Sequence, residues 1–185
     1  MTILLISAAL ADGLAAQAVA PSPFFGHPVL EVRGGVSGDA TGAQAYLCGG
    51  LSPLAWLSVE GCGSGAGFLY PSNGPDLAHL RARARVASLR RDNVDFEGFV
   101  GAGVAEAERA KDAPGLVFGH QGGSPVETAG PEATVSASAR AWLHPRAFVV
   151  LDVTGGAAWM VEAPAVLGAA SEVVPFITLS AGAGF

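Results

Sequence analysis

Three arginines stand at every second position in L-A-H-L-R-A-R-A-R-V-A-S-L (77–89), with Leu80, Ala82, Ala84 and Val86 interleaved. A helix would spread Arg81, Arg83 and Arg85 around its axis. An extended chain, whose side chains alternate with a period of two, puts all three on one side and the apolar residues on the other. The next segment, N-V-D-F-E-G-F-V-G-A-G-V (93–104), sets Asp95 and Glu97 against Val94, Phe96 and Val100. A turn at Arg90-Arg91-Asp92 makes these two segments an antiparallel hairpin. Arg85 then lies beside Glu97, or, after a two-residue shift, Arg85 pairs with Asp95 and Arg83 with Glu97. Opposed charges across a sheet stabilise it by about 0.2–1 kcal/mol per pair in water. Any fold for this chain must therefore place a two-faced sheet, ionic on one side and greasy on the other.

The same alternation recurs between turn signals. Strands are predicted at 29–36, 43–48, 54–61, 77–89, 93–104, 133–143 and 146–154, and an eighth in the terminal V-V-P-F-I-T-L-S-A-G-A-G-F. Pro175 within that last segment is tolerable only near a strand start or at a bulge. Small outward residues, rich in Ala and Gly, suit lipid contact better than a soluble core, which asks for more Leu, Ile and Phe. The composition agrees. Half of the 185 residues are hydrophobic and only 14% are charged, against about a quarter charged in ordinary soluble domains. Past residue 28 no run approaches the roughly 20 apolar residues of a membrane helix, and 26 Gly and 12 Pro interrupt the chain. The hydrophobicity is dispersed over short strands.

The connections separate into two kinds. Those at Ser52-Pro53, Arg90-Arg91-Asp92 and His144-Pro145 are tight. Those at about 62–77, 105–132 and 155–172 are long and rich in Gly, Pro and charge, and the first link, S-G-D-A-T-G, is modest. Alternate connections of an up-and-down barrel lie at the same rim, so one rim is tight and the other carries the loops. The predicted fold is all-β: a closed antiparallel up-and-down eight-stranded transmembrane β-barrel. In lipid every backbone group must be bonded internally, so the terminal strand must pair with the first. The ionic face, Glu31, Arg33, Glu60, Arg81, Arg83, Arg85, Asp95, Glu97, Arg140 and Asp152, then fills the lumen. Trp56, Trp142 and Phe148 fall near the tight rim, and Phe68, Tyr70 and Trp159 near the other, as an aromatic girdle would require.

Residues 1–20 read as an export signal or the remnant of one, with A-V-A (18–20) before Pro21 but no early Lys or Arg. Residues 21–28 are a lead-in, and 29–185 form the barrel. Cys48 and Cys62 lie on the same side of an extended chain. A turn at Ser52-Pro53 staggers them beyond the roughly 7 Å that a disulfide tolerates, whereas a turn nearer Ala55 brings them together. Both arrangements stay open.

Taken with its C-terminus, the chain resembles the small eight-stranded outer-membrane barrels of Gram-negative bacteria, the group that includes the outer-membrane protein A transmembrane domain. Ile177, Leu179, Ala181, Ala183 and Phe185 resemble the signal read by the barrel-assembly machinery during insertion. The resemblance implies a periplasmic rim of tight turns with both termini, an extracellular rim of long loops, and contact with outer-membrane lipid and lipopolysaccharide. It implies a monomer, and leaves the extracellular partner unnamed.

Some barrels of this group act on lipid A, which requires a His–Ser pair near the outer rim. His144 and His27 fall at the wrong end, and His120 with Ser124 is an ordinary loop pair. No catalytic residue, metal site or cofactor is predicted; Gly-rich runs such as G-C-G-S-G-A-G lack the Lys of a phosphate loop. The outer loops carry Asp39, Asp76, Glu106, Glu108, Asp112, Glu127, Glu132, Glu162 and Glu172 against Arg109 and Lys111. That acidic rim excludes nucleic acid as a partner. The favoured function is a structural, adhesive or surface-recognition barrel. The alternatives are a soluble secreted β-barrel binding a small apolar ligand, and a lipid A-modifying enzyme or narrow pore.

Overall fold

The computed structural model describes residues 28–65, 75–109, 116–120 and 122–185. Residues 1–20 and most of the lead-in, as well as Phe68, Tyr70, Lys111 and Asp112, lie outside them. Eight strands run in order: β1 (Val29–Asp39), β2 (Gly42–Leu54), β3 (Leu57–Gly65), β4 (Asp76–Arg91), β5 (Val94–Glu108), β6 (Glu127–His144), β7 (Ala147–Trp159) and β8 (Val173–Gly184). Each pairs antiparallel with its sequence neighbours, and β8 returns to β1, closing the barrel. One short helix, α1 (Ala163–Val166), precedes β8.

Closure is made by main chain. The β1–β8 ladder runs from Glu31 opposite Gly184 to Gly38 opposite Ile177. Beyond it Leu30 and Phe185 exchange two backbone hydrogen bonds of 2.9 and 3.0 Å. Pro175 lies past the point where β1 ends, so its missing N–H costs the seam nothing. At Gly182 the two strands approach so closely that a Cβ would collide with the Val32 carbonyl and the Arg33 side chain.

The alternation sorts side chains by face. Inward positions are buried, and outward ones expose aliphatic groups on all eight strands: Val32, Leu47, Val59, Leu80, Val100, Val135, Leu151 and Leu179, each 37–64% exposed. A soluble barrel enclosing an apolar ligand needs the reverse arrangement. Under the long-loop rim the lumen holds an apolar cluster, with Met160, Ala163, Val166 and Leu167 folding over Leu77, Ala105, Ala107 and Val174. Thus α1 caps that mouth.

Several boundaries differ from the sequence reading. The β2–β3 turn is Ala55-Trp56, not Ser52-Pro53, because a register shift between Leu51 and Leu54 absorbs the proline within the end of β2. The β4–β5 turn is Asp92-Asn93, with Asp92 at φ 54°, a left-handed conformation that Asp tolerates. That turn and a bulge between Arg85 and Ala87 together set Arg85 opposite Phe99 rather than Glu97. The strands also continue into the presumed loops, leaving 66–75, 109–126 and 160–172 between them instead of about 62–77, 105–132 and 155–172. The first link shrinks to Ala40-Thr41, where Asp39 Oδ1 accepts from Thr41 N (2.8 Å) and Oγ1 (2.6 Å). Phe148 faces the lumen, 1% exposed, and Trp142 turns in beside it with ring centroids 4.8 Å apart, so neither is part of a girdle. Strand lengths are uneven: β4, β5 and β6 have 16, 15 and 18 residues, against 11, 13 and 9 for β1, β2 and β3.

Gly182→Ala should lower stability by about 1–3 kcal/mol through forced separation of the seam. Gly49→Ala, where nothing lies within 4 Å, should change it little. Urea midpoints in detergent micelles check the pair, and equal midpoints would remove the close-approach argument.

Candidate functional site

The lumen is an ion-pair lattice built from the inward positions of six strands. At its centre Glu60 of β3, whose side chain is fully buried, accepts from Arg33, Arg81 and Arg83 Nη2, the last at 3.1 Å. Asp152 of β7 faces the same guanidinium groups from the opposite wall, 2.7 Å from Arg33 Nη1 and 3.0 Å from Arg83 Nη1. Thr154 Oγ1 donates to Asp152 Oδ1 at 2.8 Å. Arg33 reaches down to Glu31 Oε1 at 2.7 Å. Glu31 in turn accepts from Arg140 Nη2 at 3.2 Å, and Arg140 also binds Glu97, which takes Arg85 Nη1 at 2.6 Å. Nine of the ten residues assigned to the ionic face therefore form one connected set.

Asp95, the tenth, stands apart. It accepts from Trp142 Nε1 at 2.6 Å and lies 3.7 Å from Arg90. The ten carry five arginines and five carboxylates, so the set is neutral as a whole. Neutrality matters because an uncompensated charge in such an enclosure carries a desolvation penalty of several kcal/mol. The two-residue-shift pairs, Arg85 with Asp95 and Arg83 with Glu97, do not form. The Arg85–Glu97 pair forms diagonally, despite the altered register.

Other members of the lattice escaped the sequence reading. Tyr46 OH accepts from Arg81 Nη2 at 3.0 Å. The Phe99 ring lies 4.8 Å from the Arg83 guanidinium carbon and 5.9 Å from that of Arg140, and Phe148 5.4 Å from Arg140. His79 Nδ1 meets Glu132 Oε2 at 2.6 Å, with both side chains fully buried and Phe176 stacked against the imidazole at 4.6 Å. Glu132 consequently belongs to the lumen and not to the acidic loops. Most of these sit in phase with residues already assigned inward: His79 with Arg81, Phe99 with Glu97, Glu132 with Arg140 and Phe148 with Asp152. The period-two pattern held that signal, but an uncharged or lone polar residue did not draw attention to it.

Cys48 and Cys62 are direct partners across β2 and β3, with Cα atoms 4.1 Å apart, and are joined by a disulfide. The Ala55-Trp56 turn creates that alignment. Ile177 and Leu179 point outward at 61% and 55% exposure, Ala181 and Ala183 are exposed beside them, and Phe185 is 71% exposed. In the loops, His120 Nδ1 lies 3.1 Å from Glu162 Oε1, an acid partner on a different loop from Ser124. His144 is exposed at the tight rim, and His27 falls outside the described residues. One group of three metal-competent side chains exists among the described residues: Cys48, Glu60 and Cys62. Its sulfurs are bonded to each other and its carboxylate is held by three arginines.

Glu60→Gln should cost about 3–5 kcal/mol, because three guanidinium groups lose their shared carboxylate charge. Arg83→Ala should destabilise more than Arg85→Ala, whose side chain is 17% exposed, and Arg109→Ala on the exposed rim should be nearly neutral. Urea titration followed by heat-modifiable gel migration ranks the four variants. A flat series would contradict the buried lattice.

No family model matches the sequence, and no curated relative does either. The comparison with solved structures is informative at the level of fold. The crystal structure of Neisserial surface protein A superposes with a TM-score of 0.54 at 14% identity, over 85% of this chain and 94% of that one. The N-terminal β-barrel domain of Pseudomonas aeruginosa OprF gives 0.48 at 13% identity, over 85% and 97%. The outer membrane protein OprG from Pseudomonas aeruginosa gives 0.44 at 12% identity, over 84% and 94%. The chain has the fold of the small eight-stranded outer-membrane β-barrels.

Proposed function

We propose that this protein is an integral barrel of the bacterial outer membrane, acting in structure or surface recognition through its long-loop rim. The observation that carries the reading is the inversion of faces. Every strand exposes an aliphatic side chain outward while charged side chains gather in the lumen, an arrangement stable only when the exterior meets acyl chains. The tight-turn rim, with both chain ends of the barrel, faces the periplasm, and the loops 66–75, 109–126 and 160–172 face outward. The exposed Ile177–Phe185 edge of β8 is what the assembly machinery reads, and the barrel works as a monomer.

The lattice fixes how the protein behaves in that setting. Ion pairs tie β1, β3, β4 and β7 across the centre, and the apolar cap closes the outer mouth, so the barrel is a sealed pillar without steady conductance. Action is left to the loops. Their acidic groups suit cation-bridged contact with lipopolysaccharide or a basic partner, and the reading is non-enzymatic. Neisserial surface protein A, whose fold is the better match, is by its name a surface protein, in keeping with this role.

Cell fractionation tests the assignment. The chain should sediment with outer membranes, require detergent for release, and migrate faster unboiled than boiled. Release into buffer would refute it. Mass spectrometry of lipid A from cells with and without the protein should give identical species; a protein-dependent change in acylation would restore the enzymatic alternative.

A further inference from the structure

The tight-turn end of the barrel opens into a cavity of about 380 Å³ that the lattice closes from above. That volume falls within the range of small-molecule sites, about 300–1,000 Å³. Its walls are apolar and aromatic, with Pro53, Trp56, Trp142 and Phe148 among them, and its polar lining includes Ser58, Arg85, Asp95, Glu97 and Arg140.

The polar groups divide sharply by what they still offer. The Asp95 carboxylate is taken by Trp142 Nε1 and faces Arg90, and Glu97 is taken by both Arg85 and Arg140. The acceptors facing the cavity are thereby spent, which disfavours a cationic guest. Donors remain. Among the described residues Arg85 engages Glu97 through Nη1, and its side chain keeps 17% exposure toward the opening. Ser58 is 95% buried (5% exposed), and its Oγ has no partner among the described residues. The two are close in the sheet. Ser58 pairs with Arg83 in the ladder, and the Arg85 N–H donates to the Trp56 carbonyl at 2.8 Å.

We propose that this cavity binds a small amphiphilic monocarboxylate, its anionic head on Arg85 and Ser58 and its apolar or aromatic body against Trp56, Trp142 and Phe148. A guanidinium and a hydroxyl projecting from the same inward face supply donors for the two oxygens of one carboxylate. With Arg90 facing Asp95, three guanidinium groups (Arg85, Arg90 and Arg140) stand at this end against two carboxylates, Asp95 and Glu97, so one negative charge is accommodated and two are not. A buried hydroxyl without a partner carries a desolvation cost, which an accepting ligand removes. The site is independent of which compartment the rim faces.

The test uses the full barrel in lipid nanodiscs, accessible from both sides, with 2-naphthoate as probe and quenching of tryptophan fluorescence as readout, corrected against empty nanodiscs. Trp56 and Trp142 line the cavity, so a bound naphthyl group reports directly. Saturable one-site binding is expected, with 2-naphthylmethanol and 2-naphthylmethylamine each weaker by about tenfold or more, the size of one charged hydrogen bond. Arg85→Gln and Ser58→Ala should each weaken naphthoate by a similar factor. Binding that is absent or non-saturable, equal affinity for the alcohol, or unchanged affinity in both variants would overturn the proposal. If Arg85→Gln does not fold, as judged by loss of heat-modifiable migration, Ser58→Ala decides alone.

Discussion

Main-chain N–H and C=O groups in an apolar surround have no solvent to turn to, and that requirement governs everything else in this molecule. An open sheet would leave two rows of such groups bare, each costing several kcal/mol in hydrocarbon. The pairing of β1 with β8 removes both rows at once. It also draws Phe185 into the seam, where its backbone is a structural partner of Leu30. Closure sets the radius, and an eight-stranded radius leaves room inside for side chains and little besides. What fills the tube must therefore be chosen to fit and to balance.

The balance is struck locally as well as in total. Glu60 and Asp152 approach from opposite walls, and the three arginines between them each bridge to at least one. A buried pair does not in general stabilise more than a well-packed apolar substitute. Here it does something an apolar filling does not: it couples strands far apart in the ring, so that β3 and β7 are held by directional bonds across the lumen. Aromatic rings from β5 and β7 complete the filling under the guanidinium planes. Rigidity across the diameter follows from this arrangement.

The architecture was legible because its rule has a period of two and its violations are costly. Arg81, Arg83, Asp95 and Glu97 announce a face by charge alone, and the alternation of long and short links orders the strands around the ring. Where contrast between faces fades, legibility fades with it. Ala105 and Ala107 point inward and Ala102 outward with nothing in their chemistry to tell them apart, so strand ends in such stretches look like loop in the sequence. Ser52-Pro53 has the composition of a turn, yet a bulge lets β2 carry it, and the disulfide alignment of Cys48 with Cys62 depends on that detail. Phe148 carries the same ambiguity from the other side: an aromatic near a rim suits an interfacial girdle, but its parity with Val150 and Asp152 places it inside. The cap over the outer mouth was invisible, since a four-residue helix leaves no periodic trace. The Ser58 hydroxyl of the tight-turn cavity likewise became visible only once its neighbours were seen to be engaged elsewhere.

The unequal strands give the cylinder a direction. At roughly 3.3 Å per residue, the 18 residues of β6 extend about 60 Å and the 11 of β1 about 36 Å along their own axes. Crossing a bilayer takes only about 9–11 tilted residues, so β1 is nearly consumed by the crossing while β4 to β6 overshoot it as a rigid parapet. A neighbour diffusing in the same leaflet meets a raised, hydrogen-bonded screen from one bearing and a low sill from the opposite one. Lateral encounters are thus sorted by compass heading before any loop chemistry is consulted.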